Sequence, residues 1–429
     1  MNSKLFGGIL LVVGTTIGAG MLALPVATAQ LGFWGSLFLL IGCWAVMAVT
    51  AFLFLEVNLW LPPNTNLVSM AGATLGRSGQ AITWVVYLVL LYSIICSYVA
   101  GGGDLFHYVL AKYGVVIPQT AASILFTTLF GIVVYMGIRS VDYVNRFLMF
   151  GKMGALFLLI CLILPFISRT NLDSGEFMHV LTRPSSLNTT AVAFGCLMII
   201  PSLRTYFDKD IKTLRKAIFI GMFIPLICYI LWDMVIMGVI PLDGVIGLKS
   251  MDGANNTNSA LVSALATMLQ KNNITRIFEF FTSICMATSF LGVSLSLSDF
   301  LSDGLKIKKQ GVLGNAFILG ATFLPPVVVV LFYPNAFSLG LNFAGICILI
   351  LMVLLPPLML WAGRYHRNFQ SLEYQSKANK SILIFLMLFA VFLLVLSGKY
   401  GIVSLGILSL VFAAGYFLSR KPKPALATE

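Results

Sequence analysis

Charged residues are scarce in this chain. Only 10% of its 429 residues are Asp, Glu, Lys or Arg, whereas 59% are hydrophobic and the mean hydropathy is +0.97. Soluble globular domains carry about 25% charged residues. The composition therefore excludes soluble enzymes, nucleic-acid binders and secreted disulfide scaffolds, and it indicates a polytopic membrane protein.

Residue types that carry catalysis or bind metals are also few. No lysine follows a glycine-rich loop in the Walker pattern, no HExxH occurs, and the three histidines fall at or beyond the ends of apolar segments. The seven cysteines lie inside apolar segments without CxxC spacing, which predicts small buried residues rather than disulfides or metal ligands. We therefore expect no enzymatic activity, cofactor or metal.

Long hydrophobic segments, in contrast, occupy most of the chain. A helix needs about 20 apolar residues to cross a bilayer, and twelve segments approach this length. They are 5–30, 35–61, 81–103, 117–136, 147–167, 189–203, 217–240, 277–301, 312–332, 336–361, 381–396 and 402–418.

The basic residues predict the orientation of these twelve spans. With the N-terminus in the cytoplasm, 20 of the 27 Lys and Arg residues fall on the cytoplasmic side. Such a bias is the positive-inside signal of membrane proteins. We expect both termini to be cytoplasmic, with Arg420, Lys421 and Lys423 supporting the twelfth span.

The first span contains three glycines in seven residues and a proline, from Gly14 to Pro25. Each glycine inside a helix costs about 1 kcal/mol relative to alanine, which favours an interruption. Non-helical backbone at membrane depth must line a cavity or be buried in protein. The alternative is that Gly14 and Gly18 only let a second helix approach closely.

The sixth span repeats this pattern. Gly195 lies in the middle of the span and Pro201 follows six residues later. Interrupted helices at matching positions of two halves are typical of inverted repeats with a binding site between them. The pair therefore favours two five-span repeats that are opposed in the membrane, with discontinuous helices 1 and 6.

A long loop between spans seven and eight, residues 241–275, also shows helical periodicity. Leu261, Leu265, Met268 and Leu269 recur at helical spacing. We expect a short helix over the outer face, either as an external lid or as an interfacial helix only.

Several blocks of the sequence resemble the bacterial hydroxy and aromatic amino acid permeases, and most closely the tyrosine-specific permeases. The blocks are 14–25 (GTTIGAGMLALP), 55–57 (LEV), 98–104 (YVAGGGD), 146–152 (RFLMFGK), 201–202 (PS) and 210–216 (DIKTLRK). That family belongs to the amino acid–polyamine–organocation superfamily, whose fold is LeuT-like. The resemblance implies proton-coupled import across the bacterial inner membrane.

Together these observations predict an all-α polytopic membrane protein with one transporter domain over residues 1–429. The first repeat covers about 5–167, the second about 188–361, and two extra helices lie at about 381–418. We expect a proton-coupled symporter of aromatic amino acids, most similar to tyrosine carriers. The partners are the substrate, protons and the lipid bilayer. A tryptophan or hydroxy amino acid permease and an equilibrative exchanger remain open.

A zwitterionic substrate needs partners for both of its charges when it leaves water. Main-chain N–H groups freed at the first interruption suit the carboxylate, and carbonyls freed at the sixth suit the ammonium. The candidates for the carboxylate are Thr15, Thr16, Ile17, Gly18, Ala19 and Gly20. The candidates for the ammonium are Ala193, Phe194 and Gly195.

An aromatic substrate also needs an apolar slot. Phe194, Met198, Tyr92 and Tyr98 could supply it, although the two tyrosines could equally serve ordinary helix packing. Ser289, next to Thr288, adds a hydroxyl opposite the first interruption.

Ionisable residues inside spans are functional candidates. By resemblance to proton-coupled carriers of this fold, Lys152 could occupy the position of a sodium ion and couple protons to transport, or it could be an interfacial lysine. Asp233, deep in the seventh span, is a second coupling candidate or a structural carboxylate. Glu56, Asp104, Glu279 and Asp299 lie near span ends, and we interpret them as interfacial.

Overall fold

A computed structural model describes residues 3–63, 65–208, 210–307, 311–333, 335–369 and 373–419, and over these residues the chain forms helices and no strand. The α-helices are α1 (Ser3–Thr16), α2 (Ala19–Thr28), α3 (Gly32–Leu59), α4 (Leu67–Lys112), α5 (Gln119–Tyr135), α6 (Ile138–Ile163), α7 (Arg169–Leu172), α8 (Pro184–Ala193), α9 (Ile200–Phe207), α10 (Ile211–Val239), α11 (Leu248–Met251), α12 (Thr257–Leu269), α13 (Asn272–Leu305), α14 (Gly311–Phe332), α15 (Ala336–Ile348), α16 (Leu355–Tyr365), α17 (Lys380–Leu396) and α18 (Lys399–Ser419). A π-helical stretch, Leu349–Leu354, joins α15 to α16.

Each of the twelve predicted apolar segments is helical over most of its length. Among the described residues, eight helical runs are long and apolar enough to cross a membrane, and five shorter apolar helices accompany them. The chain is therefore an all-helical protein with the character of a polytopic membrane protein. Of the basic residues used for the orientation, these lie outside the described residues: Lys209, Lys308, Lys309, Arg420, Lys421 and Lys423.

The predicted interruption of the first span is present. The helix α1 ends at Thr16, Gly18 has extended backbone angles (φ −151°, ψ −154°), and α2 begins at Ala19. The sixth span is interrupted as well, because α8 ends at Ala193 and α9 begins at Ile200 after a short 3-10 turn.

The interrupted helices lie in the interior of a helical bundle. The helix α2 packs against α8, α1 packs against α10, and both α8 and α4 pack against α15. Small residues allow the closest of these approaches, since a Cβ atom on Gly345 would lie 2.5 Å from Cα of Asn188. This packing places the two interruptions next to each other.

The predicted outer-loop helix is also present as α12. Leu261, Leu265 and Leu269 are buried against the bundle, whereas Met268 is 38% exposed. Asp104 on α4 accepts hydrogen bonds from the main-chain N–H of Ser259 (2.9 Å) and from its hydroxyl (2.5 Å). The carboxylate thus attaches the first turn of α12 to the bundle.

Two of the four carboxylates near span ends are buried in the protein. Asp104 is buried by its contact with α12, and Glu56 is buried by a bidentate ion pair with Arg364 at 2.6 and 2.8 Å. Ser376 also donates its main-chain N–H to Glu56 at 2.7 Å. Helix α3 is therefore joined to α16 and to the segment before α17.

Candidate functional site

A cavity of about 470 Å³ lies where the two interrupted helices meet. Helices α1, α4, α6, α8, α13 and the π-helical stretch contribute to its wall. Ten residues predicted from the sequence line it: Thr15, Thr16, Gly18, Gly20, Tyr98, Lys152, Ala193, Gly195, Met198 and Ser289. The structure therefore brings most of the predicted site together around one cavity.

The side chain of Lys152, on α6, contacts the main chain just after the end of α1. Its Nζ atom donates a hydrogen bond to the Ile17 carbonyl at 2.6 Å, and the residue is only 2% exposed. Among the described residues Lys152 forms no ion pair. A main-chain carbonyl freed by the helix interruption thus balances a buried ammonium, and the interfacial alternative for Lys152 does not hold.

Ser289 on α13 forms a hydrogen bond with the first residue of α2. Its Oγ accepts a hydrogen bond from the Ala19 N–H at 2.9 Å, and a Cβ atom on Gly18 would lie 2.5 Å from the same Oγ. The Ile17 N–H donates to the Val13 carbonyl at 2.9 Å. In this conformation the amides of Ile17 and Ala19 are therefore occupied, while Gly18 and Gly20 line the cavity.

Tyr229 on α10 connects the two interruptions, and sequence reasoning missed it. Its hydroxyl lies 2.8 Å from the Thr16 carbonyl and 2.9 Å from the Ala193 carbonyl. Both are last residues of helices, whose carbonyls lack intrahelical donors. The Tyr229 side chain is fully buried, and its ring contacts Phe194 edge to face. One side chain therefore holds the end of α1 beside the end of α8.

Two predicted members of the aromatic slot do not line the cavity. Phe194 is 1% exposed and lies behind the wall, against Tyr229. The Tyr92 side chain faces α14 instead, because its hydroxyl donates a hydrogen bond to the Ala321 carbonyl at 2.7 Å. Tyr92 thus serves helix packing, whereas Tyr98 lies beside Ser289 on the cavity wall.

Asp233 is fully buried but does not line the cavity. Its Oδ2 lies 2.5 Å from the Ser36 hydroxyl and 3.3 Å from the Thr28 hydroxyl. Its Oδ1 has no hydrogen-bond partner among the described residues. The carboxyl group joins α10 to the end of α2 and the start of α3.

A second cavity of about 420 Å³ adjoins the first on the side expected to face the cytoplasm. The two cavities share Tyr87 and Met198 on their walls. Arg204 on α9 borders this region, where it donates to the main-chain carbonyls of Asn58 and Leu61. The two cavities therefore share part of their walls on this side.

On the opposite side of the interruptions the space is smaller. The cavity there measures only about 20 Å³, and Asp252 and Asn342 are among its lining residues. Asp252 lies 3.7 Å from Arg183. Burial raises the pKa of the Asp252 carboxyl, and the Arg183 guanidinium acts to lower it. The described residues thus leave much less space on this side of the interruptions than on the side of the second cavity.

Comparison with known proteins places the sequence among transport proteins. Residues 1–397 match the profile of the tryptophan/tyrosine permease family. The chain is 35% identical to the tyrosine-specific transport system 1 of Haemophilus influenzae, with 85% of this chain and 90% of that protein aligned. It is 29% identical to a tryptophan-specific transport protein of the same organism, over 91% and 94% of the two chains. It is also 28% identical to glutamine transporter 2 of Aliivibrio fischeri, over 92% and 99%.

Proposed function

The chain belongs to the tryptophan/tyrosine permease family, and on this premise we propose that it imports aromatic amino acids together with protons, with tyrosine as its preferred substrate. Membership of the family makes it a transport protein and not an enzyme, located in the bacterial inner membrane as a multi-pass protein. One observation supports the proposal most: a 470 Å³ cavity lies where two interrupted helices expose main-chain groups.

The proposed architecture has twelve membrane spans in a LeuT-like arrangement. Two five-span repeats, 5–167 and 188–361, precede two extra helices at 381–418. The packing supports this pairing, since α4 of the third span packs on α15 of the tenth just as α13 of the eighth packs on α6 of the fifth. Exchanging the two halves converts one contact into the other, as an inverted repeat requires.

In the proposed complex, main-chain groups hold the zwitterion. The N–H groups at Gly18 and Gly20 receive the carboxylate, because the start of α2 has unpaired donors and a positive dipole end. The carbonyl at Ala193 receives the ammonium, since a carbonyl oxygen accepts two hydrogen bonds and Tyr229 occupies only one direction. The substrate thus bridges the two halves of the protein.

Proton coupling is assigned to Lys152. A charged Lys152 holds the Ile17 carbonyl at the end of α1, and a neutral one releases much of that attraction. Gain or loss of a proton by Lys152 would therefore strengthen or weaken the contact between α6 and the end of α1. Asp233 is the second proposed proton site, because its buried carboxyl lacks a basic partner among the described residues and contacts α2 at Thr28.

Transport assays in proteoliposomes test the function. We expect labelled tyrosine to accumulate when the outside is more acidic, and to equilibrate only when no gradient is applied. Uptake that is the same with and without the pH gradient would indicate an equilibrative exchanger instead. Competition by all twenty amino acids then tests the substrate, and stronger competition by glutamine than by tyrosine or tryptophan would contradict an aromatic substrate.

Lys152→Ala tests the coupling residue. We expect this variant to lose pH-driven accumulation and to retain measurable tyrosine binding, because the substrate contacts are main-chain groups. Lys249→Ala, in the outer loop and away from the cavity, is the matched control. Full pH-driven accumulation by Lys152→Ala would remove Lys152 from the mechanism.

A further inference from the structure

The central cavity extends beyond the helix interruptions along α6 and α13. These two helices pack antiparallel: Gly151 lies near Ile284, and Val141 lies near Leu291 in a small apolar cluster. Counted between these contacts, Ser289 is the residue of α13 that lies at the height of Asn145, so about one helical turn separates Asn145 and Gly292 along the bundle. Both residues line the cavity.

The distance from the interruptions to this region matches the reach of an aromatic side chain. Gly292 follows Ser289 by three residues, which corresponds to about 5 Å at the 1.5 Å rise of a helix, and Asn145 lies at about the height of Ser289. Ser289 and Lys152 contact the main chain at the first interruption. A substrate whose charged groups bind there can place its ring between Asn145 and Gly292.

Most hydroxyl groups on the cavity wall are already occupied. Thr15, Thr16, Thr288 and Ser296 each donate to a carbonyl of their own helix. The Asn145 amide, in contrast, has no hydrogen-bond partner among the described residues. Other residues that line the cavity include Met149 and Leu91, so the Asn145 amide adds a donor and an acceptor to a largely apolar wall.

Gly292 leaves open space on the neighbouring helix α13. A Cβ atom added there would meet no heavy atom within 4 Å. A larger side chain at this position would therefore fill cavity space without a clash against the protein. The wall has a gap where the ring of a bulky substrate would lie.

We propose that Asn145 and Gly292 form the subsite for the substrate side chain, in which the Asn145 amide hydrogen-bonds a polar ring atom and Gly292 provides room for the ring. This inference rests on the proposed function. A phenol hydroxyl and an indole N–H both bind an amide, whereas the ring of phenylalanine leaves it unpaired. Sites that hydrogen-bond a substrate group discriminate against analogues that lack it. The subsite therefore selects tyrosine and tryptophan over phenylalanine.

The test compares kcat/KM for tyrosine and phenylalanine in proteoliposomes. Asn145→Leu keeps the size of the side chain and removes the amide, so we expect tyrosine transport to fall about 10- to 100-fold while phenylalanine transport is maintained. Phenylalanine transport by the same variant shows that it is folded. An unchanged ratio of tyrosine to phenylalanine, or an equal loss of both, would overturn the proposal.

Two further variants separate this subsite from its surroundings. Tyr87→Phe removes the hydroxyl of another residue that lines the cavity. A change of selectivity in Tyr87→Phe without a change in Asn145→Leu would also overturn the proposal. Gly292→Val should weaken tryptophan transport more than Gly154→Val, a glycine with equally open surroundings that does not line the cavity. Equal effects of the two glycine variants would contradict the role of Gly292.

A failure of this inference differs from a failure of the proposed function. If the wild-type protein transports tyrosine but the Asn145 variant keeps its selectivity, only the subsite is wrong. If the wild-type protein transports no aromatic amino acid, the proposed function itself is wrong.

Discussion

The position of Tyr229 between the ends of α1 and α8 leads to a quantitative prediction. Its hydroxyl contacts the Thr16 carbonyl at 2.8 Å and the Ala193 carbonyl at 2.9 Å in a fully buried position. Tyr229→Phe keeps the ring and removes the single O–H donor that the two carbonyls share. A buried group that loses its partner costs about 1–3 kcal/mol, which is roughly a 5- to 150-fold change in an equilibrium constant.

Part of this cost should appear in substrate binding, because the lost donor fixes the distance between the ends of α1 and α8. Equilibrium binding of labelled tyrosine to the purified protein measures it, and thermal unfolding in detergent measures the effect on stability. We expect weaker tyrosine binding together with a lower melting temperature.

Tyr92→Phe is the matched control for this experiment. The Tyr92 hydroxyl also donates to a main-chain carbonyl, that of Ala321 at 2.7 Å, but it lies away from the cavity. This variant should lower stability and leave tyrosine affinity unchanged. Equal tyrosine affinities in the two variants would refute the idea that Tyr229 positions the binding groups.

Three other variants test neighbouring parts of the structure. Gly18→Ala should reduce tyrosine binding at least tenfold, because its Cβ would lie 2.5 Å from the Ser289 Oγ; wild-type affinity would contradict the tight approach. Glu56→Gln leaves Arg364, whose side chain is 10% exposed, without its counter-ion and should destabilise the protein by about 3–5 kcal/mol, which thermal unfolding would detect; an unchanged melting temperature would argue against this ion pair. Burial raises the pKa of the Asp252 carboxyl, so the folded protein binds that proton more tightly than the unfolded chain, and stability falls as the pH rises above about 4. Asp252→Asn should lessen this fall in melting curves between about pH 4 and 7, and an identical pH dependence would exclude the contribution.

The interruptions of the first and sixth spans could be predicted from the sequence because their cause is local. Glycine and proline disfavour helical backbone wherever they occur, and the two spans contain them at similar positions. The same local signal identified Gly18 and Gly195, which line the cavity in the structure. Backbone preferences thus determine where main-chain groups become available.

The contacts of single side chains could not be predicted in the same way. Tyr229 and Tyr92 are both tyrosines in apolar helices, and nothing in their neighbouring residues indicates which one faces the interruptions. Glu56 pairs with Arg364, a residue 308 positions away in the chain, so its burial depends on tertiary packing alone. Asn145 gave no signal either, because a lone amide near the end of a span is common in interfacial positions.

Binding of substrate analogues tests the central claim most directly. The claim is that main-chain groups at two interrupted helices hold both charges of the substrate. Tyramine lacks the carboxylate of tyrosine, and 3-(4-hydroxyphenyl)propionate lacks the ammonium, while both keep the phenol ring. Competition of each analogue against labelled tyrosine on the purified protein should show affinities about 10- to 150-fold weaker, since each lost charge removes about 1.5–3 kcal/mol of charged hydrogen bonds. If either analogue competes as well as tyrosine itself, the interrupted helices do not bind the zwitterion and the account is wrong.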